Sequence, residues 1–162
     1  MYLLSVALAA SSVLGNVASQ AIKVAGSGRV MLEPVKGLLR AMQKAQEDYA
    51  GDYTRLTDLM RCTLVFEKTA TLVKALNWLL GEGGKLAGFE GCRAKDRLSL
   101  RFDAEMSGGN RDVLINGWLT VPHRGEMRRL VIEVQLHLEP LLLALKHDLH
   151  VLYDGARVLG AA

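Results

Sequence analysis

The sequence predicts a small mixed β-sheet of about four or five strands flanked by helices, of the α/β (α+β) class. Three observations carry this. Residues 131–137, Val-Ile-Glu-Val-Gln-Leu-His, and residues 111–121 alternate apolar and polar positions with period two, as half-buried strands do. Cys62-Thr63-Leu64-Val65-Phe66 is a short β-rich run, the usual look of a buried strand. Helical periodicity fills the intervals, so helices and strands interleave and the helices have a sheet to pack on. With 162 residues, 50% apolar and 23% charged, the chain has enough material for one domain with a substantial core.

Leu3, Val6, Ala10, Val13 and Val17 recur at three- and four-residue steps and give a first helix one apolar face. Residues 1–22 carry no charge, yet a secretory signal needs a basic start and a membrane span an unbroken apolar run. Ser5, Ser11, Ser12, Asn16, Ser19 and Gln20 interrupt this one. The expectation is a packing helix over 1–28 ahead of a domain spanning 29–162, with a signal or anchor as the other reading. Gly26-Ser27-Gly28 ends the helix, and Arg29 to Leu32 reads as a link. Pro34 opens a second helix, where its missing N–H costs nothing, and Gly51-Asp52 closes it. Residues 52–59 read as a short helix or turn, 62–66 as a strand, and Thr69 to Leu80 as a third helix stopped by Gly81, Gly83 and Gly84. A further strand lies within 85–98, and 99–110 is expected to be a mobile loop. Strands follow at 111–121 and 127–137, joined by a hairpin turn at His123-Arg124-Gly125-Glu126. Glu139-Pro140 starts a leucine-rich last helix ending near Gly160.

Net charge is +3, too mild to announce nucleic-acid binding. Cys62 and Cys92 form no Cys-x-x-Cys pair, so zinc and dithiol motifs are absent; two reduced thiols suit a cytoplasmic setting, and no membrane partner is expected. No Gly-Lys-Ser or Gly-Lys-Thr occurs, which excludes a Walker-type phosphate loop.

Glu133, Gln135 and His137 share one strand face. An acid, an amide and an imidazole in one row suit a cleft wall holding a metal, a hydroxyl or a phosphate; a wetted strand face is the plainer alternative. Asp58 precedes the first strand. If neighbouring strands bring it close to Glu133, the two carboxylates repel unless a hard divalent cation such as magnesium lies between them; otherwise Asp58 caps or pairs locally, with Arg61 as a partner. Lys36, Arg40 and Lys44 repeat every four residues, a stripe that is either a solvated face or a rail for a polyphosphate. Lys95, Arg97 and Arg111 flank the glycine-rich loop and offer further phosphate donors. His147, His150 and Tyr153 share a helix face, for packing or for substrate contact at the cleft edge. Trp78 and Trp118 read as core.

Taken together, these pieces resemble the synthetase domain of the RelA/SpoT nucleotidyltransferases over roughly residues 29–157. The motifs are Lys36 with Lys44 on a helix, Leu56-Thr57-Asp58-Leu59 before a strand, Lys95-Asp96, Gly109-x-Arg111, Glu133-x-Gln135 and His150-x-x-Tyr153. The resemblance implies a nucleotidyltransferase-like sheet and transfer of pyrophosphate from ATP to the 3′-hydroxyl of a nucleotide or RNA, the chemistry of (p)ppGpp synthesis. It implies Asp58 and Glu133 as catalytic and magnesium-holding residues, with Glu133 placing or deprotonating the attacking hydroxyl. Lys36, Arg40, Lys44, Arg61, Lys95 and Arg97 would hold ATP; Asn110, Arg111, Gln135, His137, His150 and Tyr153 would meet the acceptor. Nucleotides, and in one version tRNA or other RNA, are the implied partners; self-association is left open. The chain also departs from the family pattern. A loop tyrosine becomes Asn110, an arginine becomes Thr63 and a small residue Arg61, an arginine becomes His137, a histidine becomes Leu114, and an aromatic becomes Arg97. The alternative is therefore a catalytically inactive nucleotide- or RNA-binding module of the same fold.

Overall fold

A computed structural model describes residues 2–35, 37–52 and 56–145; the side chains of residues 2–4, 38 and 40 are not among those described. The elements in order are α1 (Tyr2–Ala25), β1 (Arg29–Leu32), α2 (Leu38–Tyr49), β2 (Arg61–Phe66), α3 (Thr69–Leu80), α4 (Glu82–Leu86), β3 (Phe89–Asp96), β4 (Asp112–His123) and β5 (Glu126–Leu138), with a 3₁₀ turn at Ala104–Ser107. Residues 139–145 begin the last helix. The strands form one five-stranded mixed sheet in the order β1-β2-β5-β4-β3. Only β2 and β5 run parallel.

The period-two pattern sorts the sheet into two faces. Cys62, Leu64 and Phe66 of β2, Ile132, Val134 and Leu136 of β5, and Val113, Ile115 and Leu119 of β4 are buried in one core. Helices α1 and α3 pack on that face. The buried side of α1 is built from Val6, Ala7, Ala10, Leu14, Val17, Ala18, Ala21 and Ala25, and its many alanines let the helix lie close. Ser5–Ala25 is long and apolar enough to cross a membrane, with a mean hydropathy of 1.3, and 39% of it is buried in the chain's own core.

The structure revises several sequence expectations. Arg29–Leu32 is an edge strand, not a link; it pairs antiparallel with β2, and its mostly exposed positions gave no alternation to read. The glycines after Leu80 do not simply stop α3 but admit the short helix α4. Residues 99–110, expected to be mobile, are fastened by Asp96 and by the 3₁₀ turn. Arg124 and Gly125 both take positive φ, 53° and 80°, the combination a two-residue hairpin needs to match the twist of its strands. At Gly117 a Cβ would lie 2.4 Å from the buried Phe89 ring, so only glycine lets that ring cross β4.

The two thiols differ sharply. Cys62 is buried in the core, and desolvation, with the charge of Glu33 adding to it, pushes its pKa up to about 12. Cys92 is exposed on the edge strand, beside the bulge between Gly91 and Arg93. One thiol should therefore react with Ellman's reagent in the native chain and two in denaturant. Above the ordinary thiol value of 9.0 the unfolded chain releases the Cys62 proton and the folded chain keeps it until about 12, so this group makes unfolding easier as pH rises through that window. Prompt native labelling of both thiols would contradict the burial.

Candidate active site

The face turned away from α1 and α3 carries the polar positions. Register places Arg61, Thr63 and Val65 of β2 beside Glu133, Gln135 and His137 of β5. On the other flank Asn116, Leu114 and Asp112 of β4 pair with the same three residues, and Arg93 and Lys95 of β3 pair with Asn116 and Leu114. The expected row of acid, amide and imidazole thus sits on the central strand, flanked on both sides by further polar residues.

Its members are bonded to one another. The Gln135 Nε2 donates to Glu133 Oε1 at 2.7 Å. The His137 Nε2 lies 3.5 Å from Gln135 Oε1 and 3.3 Å from Asp112 Oδ2. Arg97 grips Asp112 with both arms, at 2.6 and 2.7 Å. Asp112 is 1% exposed and His137 4%, so this end of the row is dry. A buried carboxylate is tolerable there because the guanidinium neutralises it in bidentate geometry.

Asp58 enters from the segment leading into β2. The Glu133 N–H donates to the Met60 carbonyl at 3.0 Å, tying that segment to the middle of β5. Lys44 of α2 donates to Asp58 Oδ2 at 2.8 Å and is an ion-pair partner of that carboxylate among the described residues, while Arg61 pairs with Glu33. Burial alone would lower the Lys44 pKa; the hydrogen bond and charge of Asp58, with Tyr49 and Asp48 behind them, outweigh it and leave the ammonium above its ordinary 10.5. A cavity of about 410 Å³ opens here, lined by Glu33, Val35, Gly37, Asp58 and Arg61 among others.

Among the described residues, no group of three His, Cys, Asp or Glu forms a closed metal cage. Magnesium does not require one: it typically takes one or two carboxylates and completes its shell with water and substrate phosphates. Asp58, on the segment leading into β2, and Glu133, on β5, are hard oxygen donors of the kind such an open site uses.

The remaining sequence candidates fall into three groups. Lys95 lies exposed on β3 and belongs to the polar face. Arg97, Asn110 and Arg111 are engaged within the fold: Arg97 with Asp112, Asn110 with the Ser107 carbonyl at 2.8 Å, and Arg111 with the Ser99 and Phe102 carbonyls at 3.1 and 3.3 Å. Lys36, His147, His150 and Tyr153 lie outside the described residues, and of Arg40 only the backbone in α2 is described. Trp118, expected in the core, is 38% exposed on the polar face with the Arg129 guanidinium 5.1 Å from its ring centre. Glu33, Asp112 and Asn116 were not among the candidates; Asn116 is 9% exposed and its Nδ2 has no hydrogen-bond partner among the described residues.

No family model matches the chain. Over 40 residues it is 50% identical to the (p)ppApp synthetase toxin Tas1 of Pseudomonas aeruginosa (strain UCBPP-PA14), a stretch covering 25% of this chain and 9% of that protein. The solved complex of the Type VI effector Tas1 with its immunity protein matches with a TM-score of 0.53 at 27% identity, over 85% of this chain and 60% of that one. The small alarmone synthetase 2 of Bacillus subtilis matches with a TM-score of 0.69 at 12% identity, over 95% and 80%. The small alarmone synthetase 1 of the same organism, bound to its product pppGpp, matches with a TM-score of 0.60 at 12% identity, over 77% and 62%. The chain thus shares the fold of the small alarmone synthetases, and over a short stretch, a small part of that toxin's length, its sequence resembles Tas1.

Proposed function

We propose that the domain transfers a pyrophosphoryl group from ATP to the 3′-hydroxyl of a nucleotide in a magnesium-dependent reaction, with an adenine nucleotide as the favoured acceptor. The observation carrying this is the Glu133–Gln135 row on β5, tied through Met60 to the segment that holds the Lys44–Asp58 pair. Glu133 takes the proton of the 3′-hydroxyl. The freed oxygen bonds to the β-phosphorus of ATP as the bond from that phosphorus to the bridging oxygen breaks, and AMP leaves with the bridging oxygen. Lys44, with Arg40 one turn earlier in α2, holds the donor phosphates; α2 begins at Leu38 and not at Pro34, so Lys36 joins them by proximity in sequence and not by a shared helix face, and Lys95 adds charge from the far edge. Asp58 and Glu133 would hold magnesium, which supplies charge neutralisation. Such transfer depends on charge neutralisation and in-line placement more than on covalent chemistry.

The adenine preference rests on the matched toxin, which is named for (p)ppApp synthesis. An RNA 3′ end is the other acceptor of the same chemistry. The test is incubation with adenine-labelled ATP and magnesium plus unlabelled ADP, AMP, GDP, GTP or a short RNA in turn, against ATP alone, reading label released as AMP. Release with an adenine acceptor is the expected result. ATP binding by calorimetry without AMP release on any acceptor would replace the transferase with an inactive binding module.

A further inference from the structure

We propose that Arg97, Asp112 and His137 are positioning residues that fix the orientation of Glu133 through Gln135. The inference rests on the transferase reading and deepens it. Two of these residues, Arg97 and His137, stand where the sequence departs from the family pattern, which places an aromatic and an arginine there. Taken singly they look like losses. In the structure Asp112 joins them: it accepts both arms of Arg97 and faces His137 Nε2. The departures form one connected unit.

The contacts along this unit agree with one another. Both Asp112 oxygens accept from a guanidinium, so Asp112 is a charged acceptor fixed in place. His137 Nε2 lies between that carboxylate and the carbonyl oxygen of the Gln135 amide, at 3.3 and 3.5 Å, so Nε2 carries the ring proton. With its oxygen towards the histidine and its nitrogen towards Glu133, the Gln135 amide links the two, and its 2.7 Å bond to Oε1 ties the glutamate to the buried end of the row. Flipping the amide would set its NH₂ group against the ring N–H and its oxygen against the glutamate. The glutamate is thus held by one oxygen, and Oε2 is left for the acceptor hydroxyl. A base tethered in this way does not have to be reoriented during the reaction, and a displacement of an ångström at such a group costs rate rather than binding. His137 and Asp112 are almost fully buried, so neither is placed to touch a nucleotide directly.

The test compares the wild-type chain with His137→Leu, His137→Gln and Asp112→Asn. His137→Leu should lower kcat by about 10- to 100-fold with the KM for ATP within about twofold. His137→Gln, whose amide nitrogen donates in the same direction, should restore most of the rate. Melting temperatures should not follow this order. A readout that needs no turnover is the Gln135 side-chain NH₂ pair in a ¹H–¹⁵N spectrum, assigned by its loss in Gln135→Glu. It should shift on Glu133→Ala and on His137→Leu, and stay near its wild-type position in His137→Gln. Asp112→Asn loosens the Arg97 clamp at constant volume and should move the signal in the same direction; it decides the matter if His137→Leu does not fold. An unmoved amide signal in His137→Leu and Asp112→Asn, or an unchanged kcat in an active His137→Leu chain, overturns the proposal. A wild-type chain that releases no AMP sinks the transferase reading instead, while the amide signals still decide the linkage.

Discussion

Glu133→Gln is expected to lower kcat by about 10²- to 10⁴-fold, the usual contribution of a general base. The substitution keeps length and shape, and its carbonyl oxygen can still accept from the Gln135 amide. What disappears is the charge and the capacity to take a proton. Stability should change little, within about 1 kcal/mol, because burial on β5 is carried by Ile132, Val134 and Leu136 on the opposite face. Initial rates of AMP release at high ATP and acceptor, alongside thermal unfolding, separate the two effects. A Glu133→Gln chain as fast as the parent would remove this residue from the chemistry.

That expectation depends on topology more than on any one motif. Because β2 and β5 run parallel and adjacent, Arg61 falls beside Glu133, and the segment just before Arg61 carries Asp58. Two acids far apart in sequence are thereby placed on neighbouring segments. A polar row on a central strand costs stability when its groups are dry and unpaired. Here the driest members, Asp112 and His137, are paired with each other and with Arg97, while Glu133 and Gln135 remain only partly buried.

Much of this was legible in the sequence because strand periodicity is local. The alternation over 131–137 gave both faces of β5 correctly, and Cys62 to Phe66 read as a buried strand for the same reason. Register was harder to see. Once the turn at Arg124-Gly125 sets the pairing, Asp112 falls opposite His137 and Asn116 opposite Glu133. The hairpin is legible in His123-Arg124-Gly125-Glu126, but its consequence for the far end of β4 accumulates over the whole ladder, so Asp112 carries no local signal of its own. Arg97, Asn110 and Arg111 were read as ligand donors because cationic and amide side chains beside a glycine-rich loop suit phosphate. Their partners are a buried carboxylate and loop carbonyls, which depend on tertiary placement and leave no trace in spacing. Residue type alone puts Trp118 in the core, whereas β4's own alternation puts it on the polar face. The edge strand β1, largely exposed along its length, has no pattern to read.

Lys44→Met and Asp58→Asn should both impair the domain, but in different ways. In the structure the Lys44 ammonium sits on Asp58 Oδ2, each neutralising the other, and Asp58 lines the cavity. Such a pair holds the site ready: a nucleotide tail with its cation offers Asp58 a replacement positive charge and offers Lys44 a replacement oxygen. Lys44 can then move its hydrogen bond from carboxylate to phosphate without either charge losing a counterpart. The raised pKa works in the same direction. The ammonium stays protonated in the folded chain up to its ordinary 10.5 and beyond, and the pair's contribution is lost only as pH climbs past that folded value, so neutral conditions leave it intact. Lys44→Met should raise the KM for ATP by about 10- to 100-fold with a smaller change in kcat, as expected when a phosphate contact made equally in ground and transition states goes. Asp58→Asn should cut kcat by about 10³-fold and flatten the dependence of rate on magnesium concentration. The double variant isolates the pairing. If the ion pair serves only the fold, Lys44→Met/Asp58→Asn should regain both stability and rate relative to the singles; if it is a place-holder for substrate, stability recovers and the rate stays as low as in Asp58→Asn. Magnesium titrations of the rate in all four chains, set against their thermal unfolding, distinguish the two, and recovery of turnover in the double variant would reduce Lys44 and Asp58 to structural residues.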